Sequence, residues 1–215
     1  MNHDAHTLRE FDRKLSSLNT HLLRMAGKAR SVLELAADGF LRQNEASANR
    51  AIADDEELDA LEMTVDREGL HVLAFFGPVA SDLKAVLATL RMSSMYERIG
   101  DEAVTIAKKA NRLNKLPTIR EAAGADPVCR ETAERFKTVN EAVAAWDGKA
   151  LRNLVPALET LAEHAAYLTA EFARLPERHQ DNLTAVSELI LVSRSLERTA
   201  ELLQRIVSEG LYAAS

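Results

Sequence analysis

An internal repeat is the feature that most constrains how this chain can fold. The segment "RMSSMYERIGDEAVTIA" (residues 91–107) is matched 100 positions later by "LVSRSLERTAELLQRIV" (residues 191–207). A repeat of this kind predicts two similar units arranged in tandem. Three charged positions correspond in the alignment: Glu97 with Glu197, Arg98 with Arg198 and Asp101 with Glu201.

Apolar residues recur at spacings of three and four through long stretches of the chain, which is typical of amphipathic α-helices. Glycine and proline are rare, at 8 and 5 of 215 residues, so few positions interrupt these stretches. We therefore predict an all-α protein, with Ser81 as the N-cap of its third helix. Six helices are expected, over residues of about 8–41, 46–75, 81–114, 127–146, 149–174 and 183–211.

The segment "KLPTIREAAGADP" holds two prolines and one glycine between the two copies of the repeat, and it is the best candidate for a linker. We predict a first three-helix repeat at 1–114, a linker at 115–126, and a second repeat with a degenerate motif at 127–215. Short connections make neighbouring helices antiparallel, which gives two tandem three-helix bundles.

Charge and composition exclude several classes of protein. A net charge of −6 and a pI near 5.6 argue against nucleic-acid binding, which needs clustered basic residues. Cys129 is the single cysteine, which fits a reducing compartment. No run approaches the roughly 20 apolar residues of a membrane-spanning helix. We expect a cytoplasmic protein that meets membranes only through its partners.

Pairs of acidic residues four positions apart mark the second and third helices of each half. The second helices carry Asp55 with Asp59 and Glu159 with Glu163, and a four-residue difference in the connecting hairpin would align these pairs. Like charges at this spacing repel, and hard cations such as Mg²⁺, Mn²⁺ or iron bind several carboxylates. Chance alone gives about five such pairs in a helical chain of this composition. A salt-bridged or hydrated surface patch therefore remains open.

The order of these motifs resembles one known family. "AIADDEELDALEMTVDREGL", "ASDLKAVLATLRMSSMY" and "ERIGDEAVTIA" together are similar to the PhoU family of phosphate-signalling regulators, whose repeats carry a Glu/Asp-x-x-x-Asp motif. The likeness spans nearly the whole chain. In the second half "SRSLERT" is retained, but "IGD" has become "TAE".

The resemblance implies two similar three-helix bundles, a homodimer, and metal ions (Fe, Mn, Zn or Mg) in multinuclear clusters. It also implies a negative regulator that contacts the phosphate ABC transporter and a sensor histidine kinase, with no enzymatic activity. Two sets of metal ligands follow from it. The first is Asp55, Asp59, Glu97 and Asp101, with Glu62 or Asp66 as additions, and the second is Glu159, Glu163, Glu197 and Glu201.

Two other functions remain open on the sequence. A ferritin-like di-iron protein needs two Glu-x-x-His motifs, and only Glu68 with His71 fits that spacing. A metal-free helical adaptor could use Trp146 as an anchor for its partner. The chain lacks the nucleophile and phosphate-loop motifs of common enzymes, so we predict no catalysis.

Overall fold

The structure, a computed structural model, describes the backbone of residues 2–215 and the side chains from residue 9 onward. It confirms the all-α prediction for this part of the chain. Six long helices are present: α1 (Asn2–Leu41), α2 (Glu45–Phe76), α3 (Ala80–Leu113), α4 (Asp126–Ala144), α5 (Gly148–Ala173) and α6 (Leu183–Ala213). Two short 3₁₀ helices, Arg120–Ala125 and Leu175–Glu177, precede α4 and α6.

Helices α1, α2 and α3 pack together as one bundle, and α5 packs on α6 with α4 beside them. Helices α3 and α6 join the two bundles and run antiparallel. Three ion pairs show this direction, because residue numbers rise on α3 as they fall on α6. The pairs, each 3.1 Å long, are Arg91–Glu209, Glu102–Arg198 and Arg112–Glu188.

One hydrophobic core extends through both bundles. At its centre Tyr96 of α3 stacks on Phe136 of α4, with ring centroids 5.9 Å apart. The segment predicted as a linker takes part in this packing, since Ile119 is buried and Leu116 rests on the core. The division of the chain into two repeats at this segment stays a prediction.

The start of α3 differs from the prediction. Ser81 does not cap the helix; it lies exposed within the first turn, and the N-cap is Val79, which makes no side-chain capping bond. The reason is that the Val79 carbonyl already accepts hydrogen bonds from the backbone N–H groups of Asp82 (3.2 Å) and Leu83 (3.5 Å), so the helix begins before Ser81. Asn44 and Asp147 do cap α2 and α5, respectively.

The pattern of buried residues shows which positions of the two halves are equivalent. Most positions buried in α3 are buried 100 residues later in α6, and the same offset relates α2 to α5. The four-residue difference predicted for the hairpin is therefore absent. Asp59 corresponds to Glu159, and Glu163 corresponds to the exposed Met63. In α2 and α5 the buried pairs are Ala51/Leu151, Leu58/Leu158, Leu61/Leu161, Val65/Ala165, Gly69/Thr169 and Val72/Phe172.

Two glycines of α1 provide a matched test of the packing. A Cβ on Gly39 would lie 2.7 Å from the Ala48 Cβ and 3.0 Å from the Ala48 backbone nitrogen, whereas a Cβ on Gly27 meets nothing within 4 Å. We expect Gly39→Ala to lower the unfolding free energy by about 1–2 kcal/mol through overpacking. Gly27→Ala should raise it by about 0.5–1 kcal/mol through helix propensity.

Urea denaturation of the two variants measures this difference. Equal effects of the two substitutions would contradict the close approach of α1 to α2 at Gly39.

Candidate metal centre

Six carboxylates lie along the groove between α2 and α3, and we call this set the acidic groove. On α2 they recur at spacings of three and four, which places them on one helix face. Asp101 and Ser94 of α3 both influence the pKa of Glu62, so this face of α2 lies toward α3. The six residues are Asp55, Asp59, Glu62 and Asp66 on α2 with Glu97 and Asp101 on α3.

Gly100 sets how closely the two helices approach. A Cβ at this position would collide with the Leu58 side chain and lie 3.0 Å from Asp55 Oδ1. The glycine between Glu97 and Asp101 therefore brings an α2 carboxylate against the α3 backbone. This explains why a flexible residue stands in the middle of a long, packed helix.

Asp54 and Glu57, on the side of α2 that faces α1, have a basic partner, and the acids of the groove do not. Lys28 of α1 lies 3.1 Å from Asp54 and 2.7 Å from Glu57. Within the described side chains, no lysine, arginine or histidine nitrogen lies within 4.0 Å of any carboxylate of the acidic groove. Lys108 influences Asp55 only from a longer distance. The groove thus collects negative charge without a protein counter-ion.

The pKa values of the groove reflect this concentration of charge. Partial burial and then the neighbouring Asp101 raise the pKa of Glu97 to about 7. Burial, followed by Asp59 and Asp101, raises the pKa of Asp55 above its usual value. Burial and the charges of Asp66 and Asp59 raise that of Glu62. These carboxylates resist ionisation together, so a bound cation would stabilise them.

The donor set fits a hard metal ion, although the side chains are not gathered around one. Carboxylate oxygens are the ligands that Mg²⁺, Mn²⁺ and iron accept. In the described part of the chain, no three His, Cys, Asp or Glu side chains are arranged to hold a metal ion. Binding of a metal ion by these carboxylates would therefore require rotamer changes on α2 and α3.

The second predicted set differs from the first in its neighbours and not in its exposure. Glu159, Glu163 and Glu201 are exposed and Glu197 is half-buried, just as Asp59 and Asp101 are exposed and Glu97 is half-buried. Arg194, one turn before Glu197 on α6, places its Nη1 atom 3.7 Å from Glu197 Oε2. A basic side chain therefore stands beside this set, which is not the case in the acidic groove.

Comparison with known proteins identifies the family. The sequence model of the PhoU domain matches residues 22–110. A Xylella fastidiosa protein named "Phosphate-specific transport system accessory protein PhoU homolog" is 30% identical over 213 residues, covering 98% of this chain and 87% of that protein. The chain belongs to the PhoU family. A Caulobacter vibrioides PhoU homolog of the same name is 26% identical over 197 residues, covering 91% of this chain and 86% of its own.

Solved PhoU structures have the same fold. The crystal structure of PhoU from Pseudomonas aeruginosa superposes with a TM-score of 0.89 at 22% identity, covering 94% of this chain and 98% of that one. The phosphate transport system regulatory protein PhoU from Streptococcus pneumoniae gives a TM-score of 0.85 at 19% identity, covering 94% and 96%. Among the described helices of this PhoU-family chain, none is long and apolar enough to cross a membrane.

The residues that suggested a di-iron site have other contacts in this PhoU fold. Glu68 lies 2.9 Å from His21 Nδ1 and accepts a hydrogen bond from Ser17, so it links α2 to α1. The His71 ring lies against Phe75, with centroids 4.5 Å apart. Glu68 and His71 therefore point to different neighbours. We find no observation that favours the ferritin-like alternative.

Trp146, the proposed adaptor anchor, is half-buried. It packs on the core, and its indole N–H donates to Asn19 at 3.2 Å. These contacts give it a structural role between α4 and α1.

The raised pKa of Glu97 predicts a pH effect on the stability of the metal-free PhoU-family protein. The folded-state pKa of about 7 exceeds the ordinary value of 4.5, so the folded state binds this proton more tightly. The stabilisation is complete below pH 4.5 and is lost as the pH rises through about 7. Glu97→Gln should therefore raise the melting temperature more at pH 8 than at pH 5, by about 1–3 °C after solvent screening.

Differential scanning fluorimetry of both proteins in chelator measures this effect. A difference in melting temperature that stays constant across this pH range would contradict the interpretation.

Proposed function

We propose that this chain binds metal ions in the acidic groove and acts as a negative regulator of phosphate uptake. It does so through contact with the phosphate ABC transporter and its sensor kinase, without chemical turnover. One observation carries this proposal. Six carboxylates without a counter-ion line one groove, in a chain related over 98% of its length to a phosphate transport accessory protein.

The metal part of the proposal rests on charge. When bound, the cation supplies positive charge that the groove lacks. Glu97 and Asp101 would hold it from α3, and Asp55, Asp59 and Glu62 would hold it from α2. Because these side chains belong to two helices, binding would hold α2 against α3. Gly100 permits the close contact that this requires. The metal can be Fe, Mn, Zn or Mg, and the number of acids suits a multinuclear cluster.

The regulatory part rests on family membership and on an exposed apolar surface. Four large apolar side chains of α2 and the hairpin after it remain in contact with solvent. Such side chains suit contact with a partner protein or with a second copy in a homodimer. They are Met63, Leu70, Phe75 and Val79, with exposures of 73%, 62%, 74% and 73%. We place the protein at the cytoplasmic side of the membrane, held there only by its partners.

A genetic experiment tests the proposal. A deletion strain should express its phosphate-starvation genes in phosphate-rich medium, and the wild-type gene should restore repression. The Glu97→Gln/Asp101→Asn variant should fail to restore it at equal protein levels. Unchanged expression and unchanged phosphate uptake in the deletion strain would contradict the regulatory role. Full repression by the variant would show that regulation does not need the proposed metal ligands, which would favour a metal-free adaptor.

A further inference from the structure

We infer that the acidic motif of the second bundle uses Arg194 as its counter-ion and binds no metal, so the protein carries metal on one face only. This inference rests on the proposed metal binding in the acidic groove, and it adds that the equivalent face of the second bundle does not bind metal. It also departs from the two ligand sets that the family resemblance implies.

The first observation is the loss of acids from α5. With the burial-defined offset of 100, the four acids of α2 in the acidic groove correspond to one acid and three apolar residues. At these four positions only Glu159 keeps a carboxylate, while Glu163, one turn later, corresponds to the exposed Met63. The four correspondences are Asp55 to Val155, Asp59 to Glu159, Glu62 to Ala162, and Asp66 to Ala166. At the positions equivalent to the acidic groove, three donors remain in the second bundle where the first has six.

The second observation is the arginine. Ser94, which is near enough to Glu62 to oppose the rise in its pKa, corresponds to Arg194 in the second bundle. Its guanidinium lies 3.7 Å from Glu197 Oε2. That oxygen is buried and has no hydrogen-bond partner among the described residues, so Arg194 is its nearest positive group. A guanidinium at this distance from Glu197 repels a metal ion and supplies positive charge that a metal would otherwise supply.

The consequence is an asymmetric protein. Metal loading changes the charge of the α2–α3 face and leaves the α5–α6 face unchanged, because that face carries its own arginine. All bound ions should then depend on Glu97 and Asp101, and none on Glu197 and Glu201. A partner that responds to the metal state would have to contact the first bundle.

Metal content tests this assignment. Wild type and two charge-matched variants are incubated with Mn²⁺, dialysed, and measured by elemental analysis. We expect Glu97→Gln/Asp101→Asn to lose all bound metal and Glu197→Gln/Glu201→Gln to retain the wild-type stoichiometry. If the Glu197→Gln/Glu201→Gln variant loses even part of the bound metal, the inference is overturned. Circular dichroism confirms that both variants are folded.

A gain-of-function variant sharpens the test. Restoring the groove pattern with Val155→Asp, Ala162→Glu, Ala166→Asp and Arg194→Ser should add Mn²⁺ to the wild-type stoichiometry. A variant that carries the same three acid substitutions but keeps Arg194 should bind fewer ions than the variant with all four substitutions. Equal binding by the two would show that Arg194 does not exclude metal, which overturns the inference.

A stability comparison in chelator tests the counter-ion without any metal. Glu97→Gln should raise the melting temperature because it relieves repulsion, whereas Glu197→Gln should lower it because Arg194 loses its partner. In the Arg194→Ser background, Glu197→Gln should have a smaller effect. An increase with Glu197→Gln in the wild-type background would overturn the inference. If wild type binds no Mn²⁺, the proposed metal function fails, and this comparison still decides the role of Arg194.

Discussion

Replacing Glu97 with Gln and Asp101 with Asn is expected to abolish metal binding by this protein. The substitutions remove two charged donors from α3 while keeping side chains of similar size. Neutral amides are weak ligands for hard cations, and the remaining acids all lie on α2. We expect the affinity for Mn²⁺ to fall at least about 100-fold, because loss of a residue that only supports a ligand already costs about 10–100-fold. Isothermal titration calorimetry measures the change.

A control variant distinguishes the loss of metal ligands from the loss of net negative charge. Glu56→Gln/Glu134→Gln removes the same net charge at two exposed positions, on α2 and α4, outside the acidic groove. It should bind Mn²⁺ with nearly wild-type affinity. Equal weakening by both variants would mean that the groove attracts cations only through the overall negative charge of the protein.

Replacing Glu188 with Ala is expected to cause a large loss of stability. Glu188 of α6 is buried, and its carboxylate lies 2.9 Å from Lys109 Nζ and 3.1 Å from Arg112 Nη1 of α3. Burial opposes its ionisation, but the two cations outweigh that effect and hold the pKa of Glu188 below its usual value. Without the carboxylate, the poorly exposed Lys109 is left unpaired. We expect unfolding to become easier by about 2–4 kcal/mol.

Urea denaturation at pH 7 measures this loss. Because the lowered pKa makes the carboxylate stabilising only when it is ionised, the effect should shrink as the pH falls below the usual value of 4.5. Glu209→Ala is the matched control on the same helix pair, since its partner Arg91 is 53% exposed. The control should cost at most about 1 kcal/mol. Equal losses in the two variants would contradict a special role for Glu188.

Much of the fold could be predicted from the sequence because helical periodicity is a local signal. Five of the six helices begin and end within a few residues of their predicted bounds, whereas α1 begins at Asn2 instead of near residue 8. No glycine or proline lies in that first stretch to stop the helix. The packing of α3 against α6 was not predictable, since it depends on contacts between residues about 100 positions apart.

The sequence predicts the acidic motif of the first bundle, but it does not give the correct alignment of α2 with α5. The first motif could be predicted because its acids follow helical spacing and the "ERIGD" segment is specific. The correspondence of α2 with α5 was wrong because it matched acidic pairs, which also arise by chance. The apolar positions held the correct signal. Leu58 with Leu158 and Leu61 with Leu161 both give the offset of 100 that burial confirms.

Arg194 and Ser94 were missed for a related reason. Both lie inside the repeat that was aligned, at equivalent positions. Their significance depends on which neighbours they contact, Glu62 for the serine and Glu197 for the arginine. The signal is present in the sequence. When the charged residues around the two acidic motifs are compared, the first motif has a serine where the second has an arginine.

Anomalous scattering from crystals of the Mn²⁺-loaded protein tests the central claim most directly, since it locates each ion. We predict anomalous density in the acidic groove, between Asp55 of α2 and Glu97 of α3, and none between α5 and α6. Density beside Glu197 and Glu201, or a groove without density in crystals grown with saturating Mn²⁺, would contradict this account.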